Sequence, residues 1–390
     1  MMLANVERGA QLLKDAGVDA LIVSRPENVR YVTDVPLDLA SALGLSVAAI
    51  VRPDPFRVVQ IVAPRVMAGS IPSEIAADAE VRLYGRFHAA AERGRELKSR
   101  ERHALRLLDE APGEGQTFTE AVRSAVAGFG SSAALAWDEP TLGAMLVDSG
   151  RRPITDGEAL IRRIRRVKTA VEIDRIRRAA EIAEQVELAI VAASVPGADW
   201  AEIVRTIPTL VTSNGGTPGY FSGGAAWQGG FMFPTEPLML KSGDVIRLDL
   251  GLSYQGYWAD TGRSISLGDP STLVQRRYAA IRSAVEAVLE ATRPGVAFAK
   301  LYDLAMVRAR ETLPEFRRHH CCHAIGLRVY EGELVGPAEP TTVEQGMTFN
   351  VEAPYYEIGW GGLQLEETIV VEADGWQPLT RLGREIVVTG

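Results

Sequence analysis

Leu3, Val6, Ala10 and Leu13 recur at helical spacing, and Gly17 follows where a chain leaving a helix needs a left-handed residue. Short apolar runs at 19–24, 46–51 and 58–62 read as buried strands, and 89–109 and 118–126 carry helical periodicity. The pattern changes near residue 160. Residues 159–168 (ALIRRIRRVK) are strongly basic, and Thr169 with Glu172 forms a capping box for a helix whose apolar stripe is Ile173, Ile176, Ala180 and Ala183. Beyond it, helices are predicted over 170–194, 271–292 and 297–313, the last two parted by Pro294-Gly295. Strands are predicted at 244–252, 257–267, 347–357 and 363–371. Residues 214–224 (NGGTPGYFSGG) lack both GxGxxG and a Lys-Ser/Thr ending, so they read as a loop and not a phosphate cradle. The fold class expected is α/β, with an N-terminal α/β domain over 1–158 and a C-terminal α+β domain over 159–390.

Length and charge narrow the function classes. A chain of 390 residues is long enough for two cores. Its 42 Lys+Arg against 50 Asp+Glu leave a net charge of −8, which argues against nucleic acid and anionic membranes as partners and makes the basic run at 159–168 a solvated helix face. The first residues reach Glu7 and Arg8 before any apolar leader forms. The most apolar stretch, 36–51, is interrupted by Asp38 and is shorter than the ~20 residues a membrane span needs. Cys321 and Cys322 are the only two cysteines, too few for a disulfide framework, so a reducing, cytoplasmic location is expected. Beside a candidate ligand they read first as small apolar packing, with a redox-sensitive pair or a soft ligand as alternatives.

Candidate chemistry is confined to three stretches of the second half. Residues 245–264 (VIRLDLGLSYQGYWADTGRS) place Asp249 and Asp260 on either side of a turn. Centred on Tyr254 and Gln255, that turn sets the two carboxylates directly opposite each other on one face of a ribbon. Opposed like charges destabilise a sheet unless something positive lies between them. Glu352 and Glu366 straddle a second turn, at 359–362, again among apolar residues. Four such acids suit hard divalent cations. Nitrogen comes from His319-His320-Cys321-Cys322-His323, where three of the five histidines fall together.

The order Asp, eleven residues, Asp, then His, Glu and Glu resembles the pita-bread metallopeptidase family, in its creatinase, aminopeptidase P and prolidase (Xaa-Pro dipeptidase) branch. The matching words are "LDLG", "GYWADTGRS", "HAIGL", "GMTFNVEAP" and "LQLEETIVV", with "DALIVSRPENVRYVT" and "IRRVKTAVEIDRIRRAA" in the first half and the linker. The resemblance implies a creatinase-like N-terminal domain, a pita-bread catalytic domain and a homodimer. It also implies that Asp249, Asp260, His323, Glu352 and Glu366 bind two divalent metal ions, manganese first, with cobalt, zinc or iron as alternatives. Asp260 and Glu366 would bridge the ions, and Glu352 would also relay a proton. The substrate implied is a short peptide or small amide cleaved at a C–N bond. A specialised non-peptidase reaction such as a lyase, or a non-catalytic binding module, are the alternative readings.

Three positions depart from that family. Met232 and Tyr330 stand where the peptidases carry histidines, and Gln364 stands for the arginine two residues before the last ligand. His319 does match a substrate-pocket histidine of the branch. The catalytic residues expected are therefore Glu352, His319 and Tyr330, acting with non-standard specificity. Trp227, Phe231, Phe233, Trp258 and Tyr330 are candidates for an apolar pocket wall or for ordinary core.

Overall fold

Five short runs in the first part of the chain pair as one mixed sheet: β1 (Ala20–Val23), β2 (Ala48–Pro53), β3 (Phe56–Pro64), β4 (Glu80–Tyr84) and β5 (Leu135–Trp137), in the order β4-β3-β2-β1-β5. The computed structural model describes residues 3–92, 94–146, 156–230 and 236–389, and divides into two units, Met1–Arg165 and Arg166–Gly390. In the first unit Ala20, Ile22, Ala48, Ile50 and Val62 pack against Ala121, Val122 and Ala125 of the helix Phe118–Val126. That helix starts at the Thr117/Glu120 capping box. The helix expected from residue 89 begins only at Ser99, because Gly94 takes a φ of +86° that a helix cannot contain.

The second unit contains the long helices Ala170–Ala193, Trp200–Ser213, Thr272–Ala291 and Phe298–Thr312. Thr169 and Glu172 cap the first of them reciprocally, as the sequence predicts. The strands are β6 (Thr217–Phe221), β7 (Gly224–Ala225), β8 (Val245–Tyr254), β9 (Tyr257–Leu267), β10 (Cys322–Ala324), β11 (Leu334–Val335), β12 (Thr348–Glu352), β13 (Tyr355–Glu357), β14 (Gly361–Leu363), β15 (Glu366–Glu372), β16 (Gly375–Pro378) and β17 (Val387–Thr389). They form two larger sheets, β17-β9-β8-β6 and β11-β10-β12-β15-β16, with β13 and β14 as a separate ribbon. The Thr272–Ala291 and Phe298–Thr312 helices share one apolar core with β10, β12 and β15. Ser264 Oγ of β9 exchanges hydrogen bonds with the Gln364 backbone, and Thr368 Oγ1 of β15 donates to Asp260 O, so the two sheets are tied where the acidic residues lie.

Three local expectations need correction. Residues 214–224 are loop only in part: β6 and β7, which take up 217–221 and 224–225, pair antiparallel with β8. Pro218 has no N–H to donate and is tolerated because β6 is an edge strand whose register shifts between Pro218 and Tyr220. The β8–β9 turn is centred on Gln255 and Gly256, with φ of +48° and +82°, not on Tyr254 and Gln255. A two-residue hairpin turn wants positive φ at both positions, and Gly256 provides one without strain. The strand expected over 347–357 is split into β12 and β13 at Ala353-Pro354, where proline interrupts the ladder.

Candidate metal centre

The corrected hairpin register moves each aspartate by two residues relative to its partner. Asp249 faces Gly262 and Asp260 faces Gly251, so the carboxylates share one face of the ribbon but are diagonal instead of opposed. Each facing glycine makes room for another polar side chain. A Cβ on Gly251 would lie 2.1 Å from the Tyr220 ring, and one on Gly262 would lie 2.3 Å from Gln364 Cγ and 3.0 Å from Glu366 Cδ. Glu366 in turn pairs directly across the ladder with Glu352. Tyr220, Ser222, Asp249, Asp260, Arg318, His319, His320, Tyr330, Glu352, Tyr356 and Glu366 line one cleft of about 340 Å³.

Asp249, Asp260 and Glu366 each turn an oxygen to a common point, all within 4.8 Å of one another. His323 Nε2 stands 3.3 Å from Asp260 Oδ2, and its Nδ1 lies 2.9 Å from the Val329 carbonyl. A carbonyl can only accept, so the proton of the neutral ring sits on Nδ1 and the Nε2 lone pair faces the carboxylate. Two acceptors face to face at that distance, beside the carboxylates of Asp249 and Glu366, have the donor chemistry of a cation site. Glu352 is held differently: Oε1 meets His320 Nε2 and Oε2 lies 3.3 Å from an Arg318 Nη. Asn350 Nδ2 approaches both His323 Nε2 (3.3 Å) and Glu366 Oε2 (3.2 Å), and Gln364 Nε2 donates to Glu366. Arg247, fully buried, pairs with Asp249 at 3.3 Å and donates to Gly229 O and Ser222 Oγ.

The electrostatics follow from crowding. Burial, then the Asp260 charge, pushes the Asp249 carboxyl up to about 8 despite Arg247. Burial and the Asp260 and Asp249 charges push Glu366 well above the carboxylate range. Burial alone would raise Glu352, but the His320 hydrogen bond and the Arg318 charge bring it down to about 2. Burial opposes charging His323, and Asp260 outweighs it, leaving the ring raised.

Of the residues predicted from sequence, Asp249, Asp260, Glu366 and His323 converge, and Glu352 joins them on the cleft wall while bonded to His320 and Arg318. His319 is exposed at the cleft, its ring 4.2 Å from that of His320. Tyr330 lines the cleft, half exposed. Trp258 packs over the edge strand at Gly219. Met232, Phe231 and Phe233 lie outside the described residues. Cys321 and Cys322 are buried and reduced, Sγ atoms 3.8 Å apart, and Cys321 packs in the apolar core as expected. Sequence reasoning missed Tyr220, which donates to Asp260, together with His320, Arg318, Arg247 and Asn350. Arg247 and Asn350 were accessible by strand alternation, two residues before Asp249 and Glu352 respectively. Tyr220 had no signal, because its strand was read as a loop.

Comparison with known proteins adds kinship to this geometry. The model of metallopeptidase family M24 matches residues 174–373. A probable dipeptidase PepE of Mycobacterium tuberculosis is 31% identical over 238 residues, 59% of this chain and 62% of the relative. A Xaa-Pro dipeptidase of Pyrococcus horikoshii is 28% identical over 232 residues, 58% of this chain and 66% of the relative. The matched region thus spans a little under two thirds of these curated relatives. Among solved structures, a dipeptidase PepE from Mycobacterium ulcerans superposes with a TM-score of 0.76 at 24% identity, covering 98% of this chain and 96% of that one. The prolidase from Pyrococcus furiosus does so at 0.73 and 18%, covering 96% and 99%. The fold expected from the sequence, an α/β N-terminal part and a pita-bread second part, is the fold of these proteins.

Proposed function

The chain belongs to metallopeptidase family M24, and on that premise we propose that the cleft is a metal-dependent hydrolase site cleaving a C–N bond in a small, peptide-like substrate. The observation that carries this reading is the convergence of three carboxylates, Asp249, Asp260 and Glu366, with His323 Nε2 against Asp260. Asp249, Asp260, His323, Glu352 and Glu366 would be the protein's ligands for up to two divalent ions, manganese first. The chemistry such ions supply when bound is polarisation of a carbonyl and a lowered pKa for water.

The chain's own residues provide the rest. The Val329 carbonyl fixes the His323 tautomer. Glu352, held by His320 and Arg318 at the cleft wall, would accept a proton and return it to a leaving nitrogen. His319, exposed on the cleft, would orient the substrate. Tyr330 offers a hydroxyl whose pKa is raised by burial and by the Glu352 and Asp260 charges, so it donates and does not shuttle protons at neutral pH. That tyrosine favours a second reading, a lyase or other metal-assisted cleavage in which a fixed donor suffices. We also infer a homodimer and a cytoplasmic location; no described helix is long and apolar enough to cross a membrane.

The test is metal-free protein reloaded separately with manganese, cobalt, zinc or iron, then incubated with Xaa-Pro dipeptides and longer peptides under mass-spectrometric detection. Products heavier than the substrate by one water in total, formed only after reloading, support hydrolysis. Fragments without added water support the second reading. No cleavage of any peptide by protein of verified metal content sinks the peptide-like substrate.

A further inference from the structure

Four acids and Arg318 line the cleft, Arg247 lies against Asp249 outside that lining, and the charge balance bears on how many ions the site takes. Arg247 is fully buried and lies 3.3 Å from Asp249 Oδ2; the Arg318 side chain is 10% exposed and lies 3.3 Å from Glu352 Oε2. Neither guanidinium can lose its proton in this setting. With all four carboxylates ionised the pocket carries four negative charges, and the arginines reduce that to two. One divalent ion neutralises the remainder. A second would leave net positive charge in a buried, low-dielectric pocket, where uncompensated charge is strongly disfavoured.

The geometry divides the ligands in the same way. Asp249, Asp260 and Glu366 turn their oxygens to one point, with His323 Nε2 against Asp260. Glu352 lines the same cleft but has both oxygens engaged, Oε1 by His320 and Oε2 by Arg318. An ion at Glu352 would have to displace both partners and stand beside a fixed positive charge.

We propose that this chain binds one divalent ion tightly, at Asp249, Asp260, Glu366 and His323, and that Arg318 supplies at Glu352 the positive charge a second ion would bring. Arg318 is thereby a positioning residue: its guanidinium engages Glu352 Oε2 and keeps that side chain free of metal at the cleft wall. The inference rests on the metal-dependent reading of the cleft.

The experiment is equilibrium dialysis of the metal-free full chain against micromolar manganese(II), with metal counted by mass spectrometry and its environment read by electron paramagnetic resonance. The wild type should hold one ion per chain with an uncoupled six-line spectrum, a second ion binding on the order of 100-fold more weakly. Arg318→Met should take up a second ion and show an exchange-coupled spectrum, whereas Arg318→Lys, which keeps the charge, should stay at one. Circular dichroism checks that both variants fold, and the wild-type stoichiometry decides even if one does not. Two tight, coupled ions in the wild type would overturn the one-ion proposal and leave the metal-dependent reading standing. A folded Arg318→Met that stays at one ion would overturn the role of Arg318. No ion in the wild type would overturn both the proposal and the reading beneath it.

Discussion

Tyr330 lies flat on His323, ring centroids 4.1 Å apart and planes inclined by 23°. The stack covers one face of the imidazole while the Val329 carbonyl holds its edge, so ring and hydroxyl have separable roles. Tyr330→Phe keeps the stack and should leave metal content unchanged, while turnover of the true substrate falls about 100-fold if the hydroxyl donates in the transition state. Tyr330→Ala uncovers the ring and should weaken metal binding about 10-fold as well. Metal titration and kcat measured on both variants separate the two effects. Equal turnover in Tyr330→Phe and wild type would remove the hydroxyl from the chemistry.

Tyr220 reaches Asp260 because Gly251, directly opposite that aspartate, has no Cβ to block the ring. Removing the hydroxyl in Tyr220→Phe leaves a buried carboxylate oxygen short of a donor and should cost the metal-free protein about 2 kcal/mol in denaturant unfolding. Gly251→Ala drives a methyl into the ring and should cost at least as much, through overpacking and displacement of the donor together. A Gly251→Ala protein as stable as wild type would show that the ring can move aside without loss.

The parts of this site that were legible in the sequence are those carried by strand alternation. Asp249 and Asp260 were assigned to one face, and that survives a turn misplaced by one residue because the pairing shifts by two and leaves the face unchanged. Direct opposition did not survive, since Gly256 and not Tyr254 takes the left-handed turn position. Tyr220 was invisible because a Pro- and Gly-rich segment reads as a loop. Its glycines serve close approach instead: Gly219 passes beneath the Trp258 ring, where a Cβ would be 2.3 Å from Cζ3. The partners of Glu352 were hidden for another reason. Arg318 and His320 flank the expected His319, and only the fold tells which neighbours of a histidine turn toward the acids.

Glu187 gives the second unit a pH dependence of its own. It is buried on the helix Ala170–Ala193, accepts a hydrogen bond from Thr261, and is pushed up to about 7 by burial, against the pull of Arg263. In the unfolded chain it would titrate near its ordinary 4.5. Between those values the folded state holds a proton that the unfolded state has lost, so stability falls as pH rises through this window. The full effect is up to roughly 3 kcal/mol. Glu187→Gln should match wild type near pH ~4.5 and exceed it above pH ~7 by about that amount. Unfolding curves for the two proteins that stay parallel across this range would show that Glu187 is ionised in the fold.

The acidic trio makes metal removal a test of structure as well as of activity. Asp249, Asp260 and Glu366 crowd one place, and burial first, then their mutual repulsion, pushes Asp249 and Glu366 above the usual carboxylate range. A divalent ion reverses the sign of that interaction, so it binds the folded state and not the unfolded one. At a free concentration of a hundred times its Kd, such an ion adds about 2.7 kcal/mol. Chelation should therefore lower the Tm of the wild type and abolish activity together. Asp260→Asn removes a charge at the centre of the trio while leaving an oxygen to accept from Tyr220. Its metal-free form should be at least as stable as metal-free wild type, with a Tm that no longer responds to chelator and with activity lost. Glu366→Gln should behave alike, although Asn350 and Gln364 both donate to that side chain and one of them must turn away from the new amide nitrogen. A chelated wild type that keeps both its activity and its Tm would mean that these three carboxylates gather for some purpose other than a cation.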